Sequence, residues 1–322
     1  MNITSKYIWM NGKLEEYEKA TIHFLTPALH YGVGVFEGIR SYSTADGPAV
    51  FRLKEHIHRL VQSAHIFGFQ ELPYSEDELA NAVRMTVAAN GFDECYIRPL
   101  IYLGEGGWNL TVDSGKASVG IAVWEWNDYL GEEALEKGAR ANIASFTRHH
   151  PNVMMTKAKI TGNYSNSVLA KTESIRLGFD EAILLDPQGF VAECTGENIF
   201  LVRNNKLYTP STAEVLEGIT RDSIKTICND LGYEVIEQPI SRDQLYIADE
   251  VFVCGTAAEC IALTEIDFRV IGNGRMGPVT RAIQRTFHNA LHGLNPHSKE
   301  WLDVVNIPVE DLFKVAQEQT QS

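Results

Sequence analysis

Residues 198–210 of the chain read NIFLVRNNKLYTP, and this stretch decides the predicted fold class. Together with residues 180–186 (DEAILLD) and 249–255 (DEVFVCG), it predicts a set of strands. Short turns join the strands at 180–186 and 198–210 to their neighbours. Two helices interrupt the strands, one predicted after Gly218 through Leu231 and one after Pro278 through His292. Because short turns favour antiparallel pairing, we expect an α+β fold rather than a doubly wound parallel sheet.

The first third of the chain mixes short strands and helices. YIWMNGKLEE at residues 7–16 predicts a hairpin. Residues 53–67 (LKEHIHRLVQSAHIF) and 76–89 (EDELANAVRMTVAA) predict amphipathic helices, the second with Ser75 as its N-cap. Two further strands are predicted in CYIRPLIYL and KASVGIAVWEW, and polar, glycine-flanked sequence follows them. We therefore expect three parts, a small domain over 1–126, a linker over 127–137 and a larger domain over 138–322.

Composition excludes several classes of protein. The 322 residues are 44% hydrophobic, which suffices for a core, and 28 Lys plus Arg against 42 Asp plus Glu give a net charge of −14. Such an excess of acids argues against binding to nucleic acid, whose affinity for proteins depends on Lys and Arg. No apolar run approaches the roughly 18 residues of a membrane span, and no secretory signal is visible. With five scattered cysteines and no C-x-x-C pair, we expect reduced thiols in a cytoplasmic protein.

Three familiar motifs are misleading or absent. Residues 272–277 (GNGRMG) match the dinucleotide-binding fingerprint, but Pro278 follows at once and HNALHGLNP downstream offers no acid for a ribose. A glycine-rich turn leading into a helix is the better interpretation. The ten histidines show no zinc spacing, so we expect no metal, and no G-x-S-x-G elbow supports a serine hydrolase.

One lysine stands out by its surroundings. Lys159 lies in MMTKAKITGNYSNS, after an apolar pair and before a sharp turn that is followed by Tyr164. In such a setting an amine can be partly desolvated and act as a nucleophile, although most lysines are solvated surface charges. Lys157 would share its strand parity, and local sequence does not decide between the two.

Two stretches and one arginine have the character of an anion site. Residues 218–221 (GITR) open a predicted helix, with Thr220 as its cap, and helix starts bind phosphate. Residues 255–258 (GTAA) follow a predicted strand, and the backbone amides of such small residues can approach an anion closely. Arg59 on the first predicted helix could add a bidentate charge.

These pieces together resemble one family. The motifs are YIWMNG, ALHYGVGVFEGIR, YIRPLIYLG, KITGNY, VAECTGENIF, LEGITRDSI and CGTAAE. They closely resemble the branched-chain amino acid aminotransferases, which are class IV, fold-type IV enzymes that use pyridoxal 5′-phosphate (PLP). The likeness runs from about Tyr7 to Val305 in the same order, and it implies a small α/β N-terminal domain and a larger pseudo-barrel C-terminal domain.

The resemblance implies roles around the cofactor. The family's K-x-x-G-N-Y places the Schiff-base lysine at Lys159 and leaves Lys157 a bystander. Glu193 would face the pyridine nitrogen, and Tyr164 would bond the phenolic oxygen. Leu216 would pack on the ring. The phosphate would be held by Arg59, Ile219, Thr220 and Thr256.

For the substrate, the resemblance implies transamination of leucine, isoleucine and valine with 2-oxoglutarate, giving 2-oxo acids and glutamate. Tyr96 and the amides of Thr256 and Ala257 would bind the substrate carboxylate, and Arg98 would reach the distal carboxylate of glutamate. The apolar pocket would be lined by Phe36, Trp126, Tyr129, Tyr164 and, from the neighbouring subunit, Tyr31. The minimum assembly is then a homodimer, and a hexamer is allowed. Trp108 departs from the smaller residue that family members often carry.

The alternatives differ in class. A D-amino acid or (R)-amine transaminase, or an aminodeoxychorismate lyase, would share the fold. A nicotinamide dehydrogenase would depend on GNGRMG alone, and a non-catalytic acidic interaction protein would bind no chromophore.

Overall fold

The computed structural model of the chain describes residues 5–106, 108–126, 132–213 and 215–308. Its contacts divide the chain into two compact units. Unit 1 runs to Trp126 and also holds Ala158–Gly162 and the chain from Ala290 onward. Unit 2 holds Asn127–Lys157 and Asn163–Asn289.

The described strands and helices follow one another along the chain. The strands are β1 (Tyr7–Met10), β2 (Lys13–Glu16), β3 (Gly34–Phe36), β4 (Ile39–Thr44), β5 (Gly47–Phe51), β6 (Cys95–Gly106), β7 (Gly115–Trp124), β8 (Ala139–Thr147), β9 (Glu181–Leu185), β10 (Val191–Cys194), β11 (Asn198–Arg203), β12 (Lys206–Thr209), β13 (Val235–Glu237), β14 (Glu250–Gly255), β15 (Glu259–Ile266), β16 (Arg269–Val270) and β17 (Leu302–Val304). The helices are α1 (Pro27–Tyr31), α2 (Leu53–Phe67), α3 (Glu76–Asn90), α4 (Glu132–Lys137), α5 (Tyr164–Arg176), α6 (Ile219–Asp230), α7 (Arg242–Tyr246), α8 (Pro278–Leu291) and α9 (Ser298–Trp301).

Unit 1 is an antiparallel sheet covered by two helices. The strand order is β17-β5-β4-β6-β7-β1-β2, with β3 paired to β6. Helices α2 and α3 pack on each other, and α3 packs on β1 and β7. A capping box, in which Ser75 and Glu78 exchange hydrogen bonds, starts α3, as the sequence predicts. The hairpin β1–β2 also forms as predicted, with Asn11 and Gly12 both at positive φ.

Two segments from the second half of the chain pack with unit 1 rather than with the rest of the predicted domain 138–322. β17 pairs antiparallel with β5, which brings the chain after residue 301 back to the first sheet. Ile160 forms an isolated antiparallel bridge to Val35, which attaches residues 158–162 to β3. Both attachments are backbone pairings between residues far apart in sequence, so the local pattern does not announce them.

Unit 2 is a mixed sheet with the order β10-β9-β8-β15-β14-β11-β12-β13, and β16 pairs with β15. Most pairs are antiparallel, as the short turns predict, but β8 runs parallel to β9 and β15, and β12 runs parallel to β13. The rings of Phe200 and Phe252 stack in the core with their centroids 5.0 Å apart. The observed mixture of helices and sheets is the predicted α+β class.

The cysteines, the helices and the metal-ligating side chains bear on three expectations from the sequence. The five cysteines are all buried and free of disulfide bonds, as predicted. Within the described ranges, no helix has both the length and the apolar character that crossing a membrane requires. Among the described residues, no group of three or more His, Cys, Asp or Glu side chains is arranged so that it could hold a metal ion.

Candidate active site

The backbone of Lys159 is fixed on both sides within unit 1. Its N–H donates to Oγ of Ser63 on α2 at 3.0 Å, and its carbonyl accepts from the N–H of Phe36 on β3, also at 3.0 Å. The following residue, Ile160, bridges to Val35 on the same strand. A lysine held in this way has little backbone freedom, so its long side chain starts from a defined point.

An aromatic group with one arginine accompanies the lysine. The ammonium of Lys159 lies 5.1 Å from the ring centroid of Phe36, and the guanidinium carbon of Arg98 lies 4.6 Å from the same centroid. Nη2 of Arg98 donates to the hydroxyl of Tyr96 at 3.1 Å, and Trp126 stacks on Tyr96 with centroids 4.5 Å apart. The structure thus brings together four of the predicted substrate residues and the predicted lysine.

A glycine in the FEGIR motif makes room for this group. A Cβ at Gly38 would lie 2.1 Å from the hydroxyl oxygen of Tyr96, closer than any real Cβ contact. Any larger residue would therefore displace the hydroxyl that receives the hydrogen bond from Arg98.

Arg59 is held by a buried carboxylate that the sequence did not single out. Nε and Nη2 of Arg59 donate to the two oxygens of Glu37 at 2.6 and 2.8 Å, and the Glu37 side chain is fully buried. Nδ1 of His56 donates to the same carboxylate at 2.8 Å. Although burial raises the pKa of Glu37, the Arg59 charge and the bond from His56 hold it well below its usual range. Burial lowers the pKa of His56 despite its bond to Glu37.

Tyr31 ends α1 and is half exposed. Its ring meets Trp108 edge-on at 5.6 Å, and Trp108 also meets His30 at 4.8 Å. The residue that departs from the family pattern therefore contacts the residue that the resemblance assigns to a neighbouring subunit.

In unit 2, Glu193 on β10 is fixed through one of its two oxygens. Oε2 accepts the N–H of Leu216 at 3.3 Å and lies 3.5 Å from the side-chain nitrogen of Asn198. That nitrogen also donates to the carbonyl of Leu216 at 3.2 Å. A Cβ at Gly218 would lie 2.0 Å from the amide oxygen of Asn198, so this approach requires glycine. The carboxylate and the segment leading to α6 are therefore held as one group.

The other oxygen of Glu193 faces a cation. Nε of Arg148 lies 2.7 Å from Oε1, and both side chains are only 7% exposed. The direction of the N–H group does not suit a hydrogen bond, and among the described residues neither Oε1 nor Nε and Nη1 of Arg148 has a hydrogen-bond partner. The contact is thus an ion pair that leaves the acceptor capacity of Oε1 unused.

The predicted phosphate-binding stretches are also in unit 2. Gly218 is the N-cap of α6 and Thr220 is the second residue inside the helix, so the expectation that Thr220 caps it is wrong; the chain is already helical from Ile219. Thr256 and Ala257 lie in the tight turn between β14 and β15, where Cys254 and Cys260 are paired in register as strand neighbours. Each stretch presents backbone amides of small or buried residues, as an anion site requires.

Three remaining positions complete the comparison with the sequence. Tyr164 is the first residue of α5, in unit 2. Tyr129 lies outside the described residues. The competing lysine, Lys157, donates to the carbonyl of Thr212 and pairs with Glu217 at 3.0 Å, so it fastens the segment that precedes α6.

Sequence reasoning missed Glu37, His56, Arg148 and Asn198. A signal existed for Glu37, because an acid within the apolar run GVGVFEGI is rarely buried without a partner. The other three had none, since each meets its partner only once the chain has folded.

A carboxylate of the same chain bonds the first amides of the helix that follows the GNGRMG turn. It leads into α8, as predicted, and the carboxylate of Glu250 accepts the amides of Val279 and Thr280 at 3.0 and 2.7 Å. A carboxylate at a helix start satisfies the amides that a phosphate would otherwise bind.

The chain is similar to one protein family, to curated members of it and to solved structures. Residues 34–266 match the family model for class IV amino-transferases. A curated branched-chain-amino-acid aminotransferase from Pseudomonas aeruginosa is 47% identical over 92% of this chain and 97% of its own length. The crystal structure of the Escherichia coli branched-chain amino acid aminotransferase is 44% identical with a TM-score of 0.92, covering 94% of this chain and 100% of that one. A crystal structure of the enzyme of the same name from Thermoproteus uzoniensis, with norvaline, is 42% identical with a TM-score of 0.89, covering 94% and 100%. A further branched-chain amino acid aminotransferase, complexed with N-(5′-phosphopyridoxyl)-L-glutamate, is 47% identical with a TM-score of 0.89, covering 95% and 100%. The chain therefore belongs to the class IV aminotransferases of fold type IV, and within them to the branched-chain-amino-acid aminotransferases.

Proposed function

We propose that this enzyme moves the amino group of leucine, isoleucine or valine to 2-oxoglutarate with PLP as its cofactor. The observation that carries the proposal is the group around Lys159, in which an amine, aromatic faces and one arginine lie together. The phosphopyridoxyl-glutamate bound by one of the solved relatives supports both the cofactor and glutamate.

The residues present fit PLP. Oε1 of Glu193 is a buried carboxylate oxygen without a hydrogen-bond donor among the described residues, and a protonated pyridine nitrogen is the donor that it lacks. Leu216, whose N–H bonds the same carboxylate, would pack on the ring, and Tyr164 would bond the phenolic oxygen. The phosphate would be held by Arg59 and by the amides or hydroxyls of Ile219, Thr220 and Thr256. When bound, PLP supplies an aldehyde that condenses with amines and a ring that accepts the electron pair from the substrate Cα.

Lys159 would have two tasks. Its Nζ would hold the cofactor covalently between turnovers, and once displaced by substrate it would carry the proton away from Cα as a general base. The hydrogen bond from its N–H to Ser63 and the bond from Phe36 to its carbonyl restrict where Nζ can reach. Such restriction lowers the entropy that must be lost before proton transfer.

An arginine among aromatic rings would let one pocket accept both an aliphatic and an acidic side chain. An aliphatic chain gains from dry walls such as Phe36 and Trp126, whereas the distal carboxylate of glutamate needs a charged donor. Arg98 stacks on Phe36 and bonds Tyr96, so it would offer that donor without exposing a solvated charge. Tyr96 and the amides of Thr256 and Ala257 would bind the α-carboxylate. Tyr129 and Tyr164 would complete the walls.

We also propose a homodimer as the smallest active assembly, with Tyr31 serving the site of the neighbouring subunit; a hexamer would be three such dimers. The half-exposed ring of Tyr31 supports this. Mixing the inactive variants Tyr31→Ala and Lys159→Ala should restore part of the activity, because some mixed dimers then contain one intact site. Activity in Tyr31→Ala alone at the wild-type level would contradict the shared site.

The absorption spectrum tests the function itself. Purified enzyme should show a visible cofactor band that L-leucine bleaches and 2-oxoglutarate restores, and borohydride should label Lys159. Lys159→Ala should lose turnover, while Lys157→Ala, the matched control, should keep it. A faster reaction with D-alanine or an (R)-amine than with L-leucine would favour the related transaminases, and a colourless protein that binds NAD would refute the proposal.

A further inference from the structure

We propose that Arg148 is a positioning residue for the reaction, which keeps Glu193 ionised beside the ring nitrogen of the cofactor. The inference rests on the proposed function, since it assigns Glu193 to that nitrogen. Arg148 itself would touch neither substrate nor cofactor and would act through the carboxylate.

The two oxygens of Glu193 have different surroundings. Oε2 receives the N–H of Leu216 and faces the amide of Asn198, which fixes the plane of the carboxylate. Oε1 has the guanidinium of Arg148 at 2.7 Å but receives no hydrogen bond from it. Arg148 therefore supplies charge without using the acceptor capacity of Oε1. That capacity is what the N–H of a protonated ring would occupy.

A second buried carboxyl nearby shows why a cation is needed. Burial, then the charge of Glu181, raise the pKa of Glu197 to about 8, and the charge of Glu193 acts in the same direction. Glu197 is therefore protonated at neutral pH. The cation of that cluster, Lys171, pairs with Glu181. Burial among other acids thus favours the neutral form of a carboxyl in this part of unit 2.

The other titratable groups near this pair do not replace Arg148. Burial, and then the Arg148 charge, lower the pKa of His149, so this ring is neutral at pH 7. Burial raises the pKa of the Cys194 thiol well above its usual value, so it carries no charge. Without Arg148, Glu193 would be a buried acid close to other acids, and its neutral form would be favoured.

A neutral Glu193 would fail at its task. A carboxylate stabilises the protonated ring, whereas a carboxylic acid does not, and an unprotonated ring binds less tightly and accepts electrons less well. Raising the pH would ionise the acid again, so the loss caused by removing Arg148 should shrink as pH rises. A purely structural role would give a loss that does not depend on pH.

The test titrates the apoenzyme with PLP at pH 6.5, 7.5 and 8.5 and measures the dissociation constant. For Arg148→Met we expect affinity about 10- to 100-fold below wild type at pH 6.5, the range for a hydrogen bond to a charged group. The loss should be several-fold smaller at pH 8.5. Arg148→Lys, which keeps the charge, should stay within about 3-fold of wild type at each pH. Should Arg148→Met not fold, as judged by the thermal midpoint of the apoenzyme, Arg148→Gln takes its place.

Two controls separate the explanations. In the Glu193→Gln background, Arg148→Met should cost little further affinity, because the charge it supports is gone. With a cofactor analogue that has carbon in place of the ring nitrogen, the pH-dependent loss should vanish. Equal losses in both backgrounds and with both ligands would overturn the inference. Failure of wild-type apoenzyme to bind PLP would instead refute the proposed function.

Discussion

Replacing Glu37 by glutamine should destabilise unit 1 far more than removing an ordinary surface charge. The carboxylate is fully buried and accepts three hydrogen bonds, two from Arg59 and one from His56. Glutamine has the same shape, but one of its oxygens becomes an NH₂ group. Whichever way it turns, a donor then faces a donor, and the mostly buried guanidinium loses its counter-charge.

The size of the effect follows from burial. Breaking a buried pair by removing one partner costs about 3–5 kcal/mol, because an uncompensated charge remains. The matched control is Glu55→Gln. It breaks an ion pair with Arg52 whose N–O distance, 2.6 Å, is similar, at the start of α2, the helix that carries Arg59 and His56. The Glu55 side chain is 38% exposed, so its loss should cost about 0–1 kcal/mol. Both variants lose one negative charge, so the difference between their free energies of unfolding measures the effect of burial.

The pH dependence has a defined sign. The pKa of Glu37 lies well below its ordinary value of 4.5, so the stability it provides is fully present above pH 4.5 and is lost as the pH falls through the lower folded value. The contribution from the ionisation of Glu37 itself should therefore be constant from pH 5 to 8. Because the pKa of His56 is lowered from 6.5, the unfolded chain takes up a proton that the folded one refuses, and wild-type stability declines below pH 6.5.

Urea unfolding followed by tryptophan fluorescence measures the free energy of unfolding of unit 1, where Glu37 lies. All five tryptophans, at positions 9, 108, 124, 126 and 301, belong to unit 1. The double variant Glu37→Gln/Arg59→Met should be more stable than Glu37→Gln alone, since the orphaned charge is gone. A loss for Glu37→Gln no larger than that for Glu55→Gln would refute the reasoning.

Three further outcomes are expected. Glu250→Ala leaves two amides of α8 unpaired and should cost about 1–3 kcal/mol in urea unfolding followed by circular dichroism; a loss under about 0.5 kcal/mol would contradict the cap. Arg98→Met should raise KM for 2-oxoglutarate about 10- to 100-fold but KM for 4-methyl-2-oxopentanoate less than about 3-fold, in steady-state assays, and equal changes would count against its role. Lys157→Met should leave borohydride labelling at Lys159 intact, because Lys157 is bonded to Thr212 and Glu217; loss of the label would reverse the assignment.

Elements with complete local signals were predictable. The bounds of α2, Leu53–Phe67, match the apolar period, and Ser75 starts α3 because its hydroxyl and Glu78 satisfy the first amides. The hairpin at residues 7–16 needed only its Asn-Gly turn. In each case the deciding interactions lie within a few residues of one another.

Features that depend on distant residues were not predictable. Local sequence left Lys157 and Lys159 equal; the contacts that distinguish them involve Ser63 for one and Thr212 for the other. The parallel pairing of β8 with β9 requires a crossover through α5, which short-turn reasoning overlooks. Arg148 follows β8 directly in SFTRHH and has no apolar period or motif to reveal its partner Glu193.

Helices α6 and α8 both begin after glycine-containing sequence, but different groups surround their first amides. GNGRMG before α8 matches a phosphate-binding fingerprint that its sequence context disfavours, whereas GITR at the start of α6 is a predicted phosphate site. At α8 the carboxylate of Glu250, distant in sequence, bonds the first amides, so a phosphate there would meet a negative charge. At α6 the cap is Gly218, which has no side chain to bond the amides of the first turn. A helix start is therefore open to a phosphate only where no side chain already bonds its first amides, and this condition favours α6, whose cap makes no side-chain hydrogen bond.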